Sequence, residues 1–386
     1  MSTLRRMLVL MLGVLMIAGC DRADRALTPA AERRAIAEEA FAALWDAYKL
    51  RFVRDGRVLD LDNQGVSHSE GQGYGMLLAE AAGDRETFDR LLEWTDEQLL
   101  RADGLFAWRF GTCPPETERE RVVATMGRAF PVGDECVNDA NNASDGEILI
   151  AWALLRGAQR WAEPAYLERA GQIADATVRR SLVGWNDRVV LLPGVEGFEH
   201  PGQDERLGYL VVNLSYWVFP ALDALAAEYP EQPWAHLRGA GHALIRVARF
   251  GEHALPPDWL ALDATGGGVI GPAGGFDPVF GYNAVRIPLH LVWGRQRWES
   301  DDLEPFLAWW SVPEDGRFAA WVDLETGGEA GYRASAGVQA IAQLVRALAS
   351  GTPVDQVEWP GFTDDDGYYS WSLALLSRVA ALDALR

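Results

Sequence analysis

Apolar residues recur at three- and four-residue spacing through eleven stretches of this 386-residue chain: 31–49, 74–82, 87–100, 148–161, 164–181, 215–228, 233–250, 284–298, 304–311, 334–349 and 370–385. That spacing gathers side chains on one face of a helix, because residues three and four apart stack along the same side of a 3.6-residue turn. Strand-like runs are scarce, with 189–192 and 318–322 the clearest. Glycine and proline cluster between the helical stretches, as at Pro193-Gly194, 266–268 and Gly274-Gly275. No Ser/Pro linker or charge block divides the chain. The pattern predicts an all-α protein of successive helical hairpins. A toroid of hairpins, an (α/α) barrel, is one such arrangement, and periodicity alone does not separate it from other helical folds.

The N-terminus follows a different rule. Arg5 and Arg6 precede an apolar run over 7–17, the layout of an export signal and shorter than the roughly 20 residues a membrane span needs. The run closes on Leu15-Met16-Ile17-Ala18-Gly19-Cys20. This resembles a bacterial lipobox, in which the signal is removed and the cysteine acylated; an ordinary signal with an incidental cysteine is the alternative. Asp21 follows, a residue associated in such lipoproteins with retention at the inner membrane. The expectation is a signal over 1–20 and one domain over 21–386, exported to the periplasm and lipid-anchored to the inner membrane through Cys20. Cys113 and Cys136 then remain, flanking a polar stretch over 112–137 that reads as a long loop. In an oxidising compartment they form a disulfide or stay as two thiols.

Composition narrows the function. A net charge of −21 excludes nucleic acid as a partner, since phosphate binding needs clustered Lys and Arg. No zinc-type His or Cys spacing and no phosphate-binding glycine loop occurs, so no metal or other cofactor is expected. Sixteen tryptophans fit either a large core or flat faces for sugar rings.

Two helix starts stand out. Ser69-Glu70-Gly71-Gln72 and Ser144-Asp145-Gly146-Glu147 have the form of capping boxes, each with an acid directly after the serine. A third polar start is Asn213-Leu214-Ser215-Tyr216. In a ring of hairpins alternate helices begin at the same end, which would gather Glu70, Asp145 and Tyr216 around one mouth. An acid in a helix's first turn ordinarily just complements the macrodipole. Gly71, Gly73 and Gly75 argue for more, because each costs about 1 kcal/mol relative to alanine inside a helix and is explained if something approaches the backbone closely. Two carboxyl groups suit glycoside cleavage, where one protonates the leaving oxygen and a second group activates water or attacks the sugar. A general acid must keep its proton, against the pull of the helix N-terminus. Burial and a neighbouring carboxylate would raise one pKa of the pair. The expectation is that Glu70 titrates well above a free glutamate while Asp145 stays ionised.

At these residues the chain resembles glycoside hydrolase family 8, in particular its branch associated with bacterial cellulose synthases. Ser69-Glu70-Gly71-Gln72-Gly73-Tyr74-Gly75-Met76 is similar to the family's S-E-G-Q-x-Y-G-M segment, whose glutamate donates the proton. Ala143-Ser144-Asp145-Gly146-Glu147 is similar to A-[ST]-D-G-[DE], whose aspartate contacts and distorts the central sugar. Asn213-Leu214-Ser215-Tyr216 is similar to N-P-S-Y with leucine for proline, and Tyr282-Asn283-Ala284-Val285-Arg286 to Y-D-A-x-R. The resemblance implies an (α/α)6 barrel with an open cleft, a β-1,4-glucan substrate and inversion without a cofactor. A place beside an exopolysaccharide synthase would follow from that branch.

One residue departs from the pattern. The aspartate of Y-D-A-x-R is the base that activates water, and here the position holds Asn283, whose amide has no comparable basicity. Three readings stay open: the base lies elsewhere, with Asp277 nearest in sequence and Asp263 and Glu196 behind it; Asn283 only positions the water; or the chain binds glycan as a non-catalytic accessory subunit. Chitosan is a rival substrate, since an asparagine-bearing branch includes chitosanases. Tyr282, taken as buried, would orient the water, and Arg286 would hold a carboxylate through paired hydrogen bonds. Trp108 is either a stacking platform or part of the core.

Overall fold

Helix boundaries follow local chemistry. The first helix opens with Pro29 in its first turn, where a missing N–H is no loss, and Thr28 Oγ1 accepts from Ala31 N at 3.3 Å. The second stops at Gly83, which takes up φ 76° and returns its N–H to Ala79 O, a left-handed turn that suits glycine. The computed structural model describes residues 28–129, 133–202, 208–294, 298–311 and 318–385; Cys20 and the signal over 1–20 lie outside them. Twelve α-helices occur among the described residues: α1 Pro29–Phe52, α2 Ser69–Ala82, α3 Arg85–Gln98, α4 Glu116–Met126, α5 Ser144–Trp161, α6 Pro164–Ser181, α7 Phe219–Glu228, α8 Trp234–Val247, α9 Ile287–Trp293, α10 Ser300–Trp309, α11 Ala336–Ser350 and α12 Tyr368–Ala384. Each periodic stretch of the sequence overlaps one of them.

The protein is predominantly helical rather than all-α. Short antiparallel strands lie in the connections: Ser67–His68, Arg109–Thr112 and Glu135–Asp139 form one sheet, and Glu199–His200, Tyr209–Val212, Leu260–Asp263 and Val269–Pro272 another. The expected strand at 189–192 appears as Arg188–Leu191; of 318–322 only Val322 enters a strand, Val322–Asp323. The stretch 112–137 is not a loop. It carries α4 and feeds a sheet strand at each end, and a disulfide joins Cys113 to Cys136 with their Cα atoms 5.1 Å apart.

α2 lies against α1, α3, α5 and α12; α5 also packs on α6 and α7, α7 on α8 and α9, α9 on α11, and α11 on α10 and α12. One hydrophobic core runs from Phe41 to Leu382 and includes the fully buried Trp45, Trp217, Trp234 and Trp310. Part of the tryptophan count is therefore core. The glycines of α2 serve packing: a methyl group on Gly73 would lie 2.6 Å from Leu149 Cβ of α5, and one on Gly71 2.6 Å from Tyr368 Oη of α12. What approaches that backbone is neighbouring protein.

Neither expected capping box forms. Ser69 and Ser144 are already inside their helices, with His68 and Ala143 at the caps and no side-chain cap bond at either. Gln72 accepts from Val58 N at 2.7 Å and donates to Thr95 Oγ1 at 2.9 Å. Ser144 Oγ donates to Leu192 O at 2.7 Å, and Glu147 accepts from Phe106 N at 2.8 Å. Buried polar side chains need partners, and these find theirs in adjacent connections. That interlock seats the first turns of α2 and α5 together.

Candidate active site

Those first turns place Glu70 and Asp145 side by side. A third element meets them, the 3-10 turn Ala284–Arg286, which delivers Arg286. The guanidinium is buried and nearly saturated. Its Nη1 donates to Glu70 Oε1, to Tyr74 Oη at 2.9 Å and to Asp145 Oδ2 at 3.3 Å. Its Nη2 donates to Ser215 Oγ at 2.8 Å and Asn283 Oδ1 at 2.9 Å. The expected paired grip on one carboxylate is replaced by one nitrogen shared between two. Tyr74 Oη also donates to Glu70 Oε1 at 3.0 Å. Glu70 keeps 20% of its side chain exposed, against 2% for Asp145; the glutamate reaches the cleft and the aspartate sits behind it.

The two carboxyl groups shift in directions opposite to those expected. Burial pushes Glu70 up, but Arg286, the hydrogen bond to Asp145, His68 and Tyr74 together bring it below the ordinary glutamate value. Burial and the charge of Glu70 hold Asp145 well above the carboxylate range. Two touching carboxyl groups titrate as one unit, and the two directions part because the arginine lies closer to Glu70 than to Asp145. Behind them, burial raises Glu147 to about 7.

Glu70 opens into a cavity of about 360 Å³ lined by Asp60, Asp62, Asn63, Tyr282, Asn283, Arg286 and Tyr369. Tyr216 joins the cluster, its ring centroid 5.7 Å from the Arg286 guanidinium carbon. Trp108 is half-buried and stacks on His68, ring centroids 5.5 Å apart, beside the start of α2. Tyr282 is exposed, not buried, and its hydroxyl pairs with that of Tyr332 at 2.7 Å. Asp277 lines an adjacent pocket of about 670 Å³ with Asp258, Trp259, Phe276, Tyr282, Trp321 and Asp323, and does not line the Glu70 cavity. Asp263 lies at a strand end and accepts from Thr265 N and Oγ1 at 2.8 and 2.7 Å. Glu196 pairs with Arg121 on the surface. Neither borders the cavity.

Some members of the site went unpredicted. Tyr74 stands four residues after Glu70, one helical turn on, a spacing that sequence does offer. Ser215 was visible as part of a helix start and of the N-P-S-Y-like segment, with no role of its own. Asp258 gathers the N–H groups of Gly281, Asn283 and Ala284 at 3.0, 3.2 and 2.7 Å, fixing the loop that carries Asn283. Tyr369 arrives from α12 with no local signal.

Residues 23–382 match the family model described as glycosyl hydrolases family 8. The chain belongs to that family. An endoglucanase of Cellulomonas uda is 36% identical over 314 residues, 81% of this chain and 78% of that one. A probable endoglucanase of Novacetimonas hansenii is 34% identical over 348 residues, 89% of this chain and 92% of that one. Among solved structures, endoglucanase Cel10 from Klebsiella pneumoniae, itself called a family 8 glycosyl hydrolase, superposes with a TM-score of 0.74 at 36% identity, covering 89% of this chain and 99% of that one. As a family 8 member the chain is a glycosidase.

Proposed function

We propose that this glycosidase cuts β-1,4-glucan, a cellulose-like exopolysaccharide, within the chain and with inversion, using Glu70 as its general acid. The observation that supports this most directly is the Glu70–Arg286–Asp145 cluster opening into a cleft. Residues 21–386 act as one catalytic domain, an (α/α)6 barrel whose cleft lies where α2 and α5 begin. The resting pair holds one proton on Asp145. As a glycosidic oxygen settles against Glu70 and loosens its contact with Arg286, the proton passes to Glu70. Glu70 then protonates the bridging oxygen, the C1–O bond breaks, and water adds at C1 from the opposite face. Asp145 and Tyr216 bear on the sugar beside the scissile bond. Trp108 offers a flat apolar face to a pyranose ring.

The enzyme works in the periplasm, held to the inner membrane by lipid on Cys20, beside an exopolysaccharide synthase. A Cys20→Ser variant should leave the membrane fraction, and its retention there would overturn the anchor.

The activity is tested with carboxymethyl cellulose, mixed-linkage β-glucan and chitosan side by side. Wild type should lower the viscosity of the glucans faster than it releases reducing ends. Glu70→Gln should lose roughly 10²–10⁴-fold in rate, the usual contribution of a general acid, while remaining folded by circular dichroism. Turnover of chitosan alone, or full activity of Glu70→Gln, would overturn the reading.

A further inference from the structure

An inverting glycosidase needs a carboxylate across the scissile bond from its acid, with water between them. Asn283 does not supply it. Its amide is a poor base, and its Oδ1 already accepts from Arg286 Nη2 at 2.9 Å. Among the described residues lining the Glu70 cavity, the other carboxylates are Asp60 and Asp62, and they differ in exposure. Asp60 is half-buried, held by the backbone amides of Asn63 and Asp62, and senses the imidazole of His68. His68 stacks on Trp108, and Asp60 also faces Tyr368 at the start of α12, so it is tied into the packing at the base of the cavity. Asp62 is exposed and lies against the start of α12: a methyl group on Gly367 would land 1.5 Å from its Oδ2. Gly367 caps α12, and two residues on, the Tyr369 hydroxyl donates to the carbonyl of Tyr282, next to Asn283.

We propose that Asp62 is the general base of this enzyme, an exposed carboxylate that shares the cavity with Glu70 and Asn283 and lies against the start of α12, whose Tyr369 bonds the backbone beside Asn283. The assignment rests on the inverting-hydrolase reading above. In the step it performs, water oxygen bonds to C1 as the C1–O bond to the leaving sugar breaks. The water's proton goes to Asp62, and the leaving oxygen takes the proton of Glu70. Asp277, beyond Tyr282 in the adjacent pocket, has no part in it.

The test compares wild type, Asp62→Asn, Asp62→Ala, Asp277→Asn and the double variant Asp62→Ala/Asn283→Asp on mixed-linkage β-glucan. Asp62→Asn should lose about 10²–10⁴-fold in kcat, the range for a general base, with KM nearly unchanged and a wild-type melting temperature. Azide, which needs no deprotonation, should restore turnover of Asp62→Ala and yield an α-glycosyl azide. The double variant should regain at least about tenfold over Asp62→Ala, because a carboxylate returns to the same cavity. Asp277→Asn should match wild type. If Asp62→Asn keeps activity within threefold, or loses it with neither azide product nor recovery through Asn283→Asp, Asp62 is not the base. A wild-type chain inert on every polymer would instead overturn the hydrolase reading, and the base with it.

Discussion

Glu70 and Asn283 face one cavity from walls of different construction. The acid's wall is the start of α2 pressed onto α5, with Ser69, Gln72, Ser144, Asp145 and Glu147 all buried. The opposite wall is a loop and a 3-10 turn held by Asp258, edged by the exposed Tyr282 and Tyr332. On the first wall Gln72, Ser144 and Glu147, which seat the first turns of α2 and α5, also bond into the surrounding fold, so its chemistry is tied to folding. On the second, side chains can change while Asp258 keeps the backbone in place through main-chain amides. Asn283 stands on that second wall, where its backbone N–H is held by Asp258 whatever side chain it carries.

The contrast breaks first at Arg286, which serves both walls. Arg286→Met would strand the buried Glu70–Asp145 pair without a counter-charge and should cost about 3–5 kcal/mol in urea unfolding, as removal of one partner from a buried ion pair does. A loss below about 1 kcal/mol would mean that the pair discharges by taking up a second proton instead. Next is Glu147. Its ordinary value is 4.5 and its folded value about 7, so the native state binds the extra proton. Its contribution is complete below about pH 4.5 and is lost as pH rises through 7, a penalty of about 3 kcal/mol at roughly 1.4 kcal/mol per pKa unit. Glu147→Gln should therefore raise the melting temperature relative to wild type more at pH 8 than at pH 5. An equal difference at both would show that burial does not hold the proton. Gly73→Ala sets a methyl group against Leu149 and should cost about 1–3 kcal/mol, the usual overpacking penalty. The smallest effect belongs to the open wall: Tyr332→Phe deletes an exposed hydroxyl pair and should stay within about 0.5 kcal/mol. A larger loss there would erase the distinction between the walls.

The helices were legible because long amphipathic stretches repeat the same signal; the stretch 164–181 reappears as α6 without a residue's change. α4 was not, since ETERERVVATM buries only Val122 and Met126 and so shows almost no apolar face. The short strands hold too few residues to display an alternation. Glu70, Asp145 and Arg286 were named from sequence, and the structure gathers them. Their charges were not legible. Which carboxyl keeps the proton depends on how near Arg286 lies, and that is fixed by packing across 216 positions of chain. The capping boxes failed for a related reason: a serine and an acid at a helix start satisfy the local rule equally well whether they close the helix or lock onto a loop 48 residues away, as Ser144 does.

That long-range contact has a consequence in time. A nascent chain holds Glu70 as soon as its first quarter emerges, yet the guanidinium that grips the acid is made much later. A chain cut before residue 286 would carry Glu70 without the guanidinium that bonds it, so even a fragment that kept the first turns of α2 and α5 would lack the finished cluster.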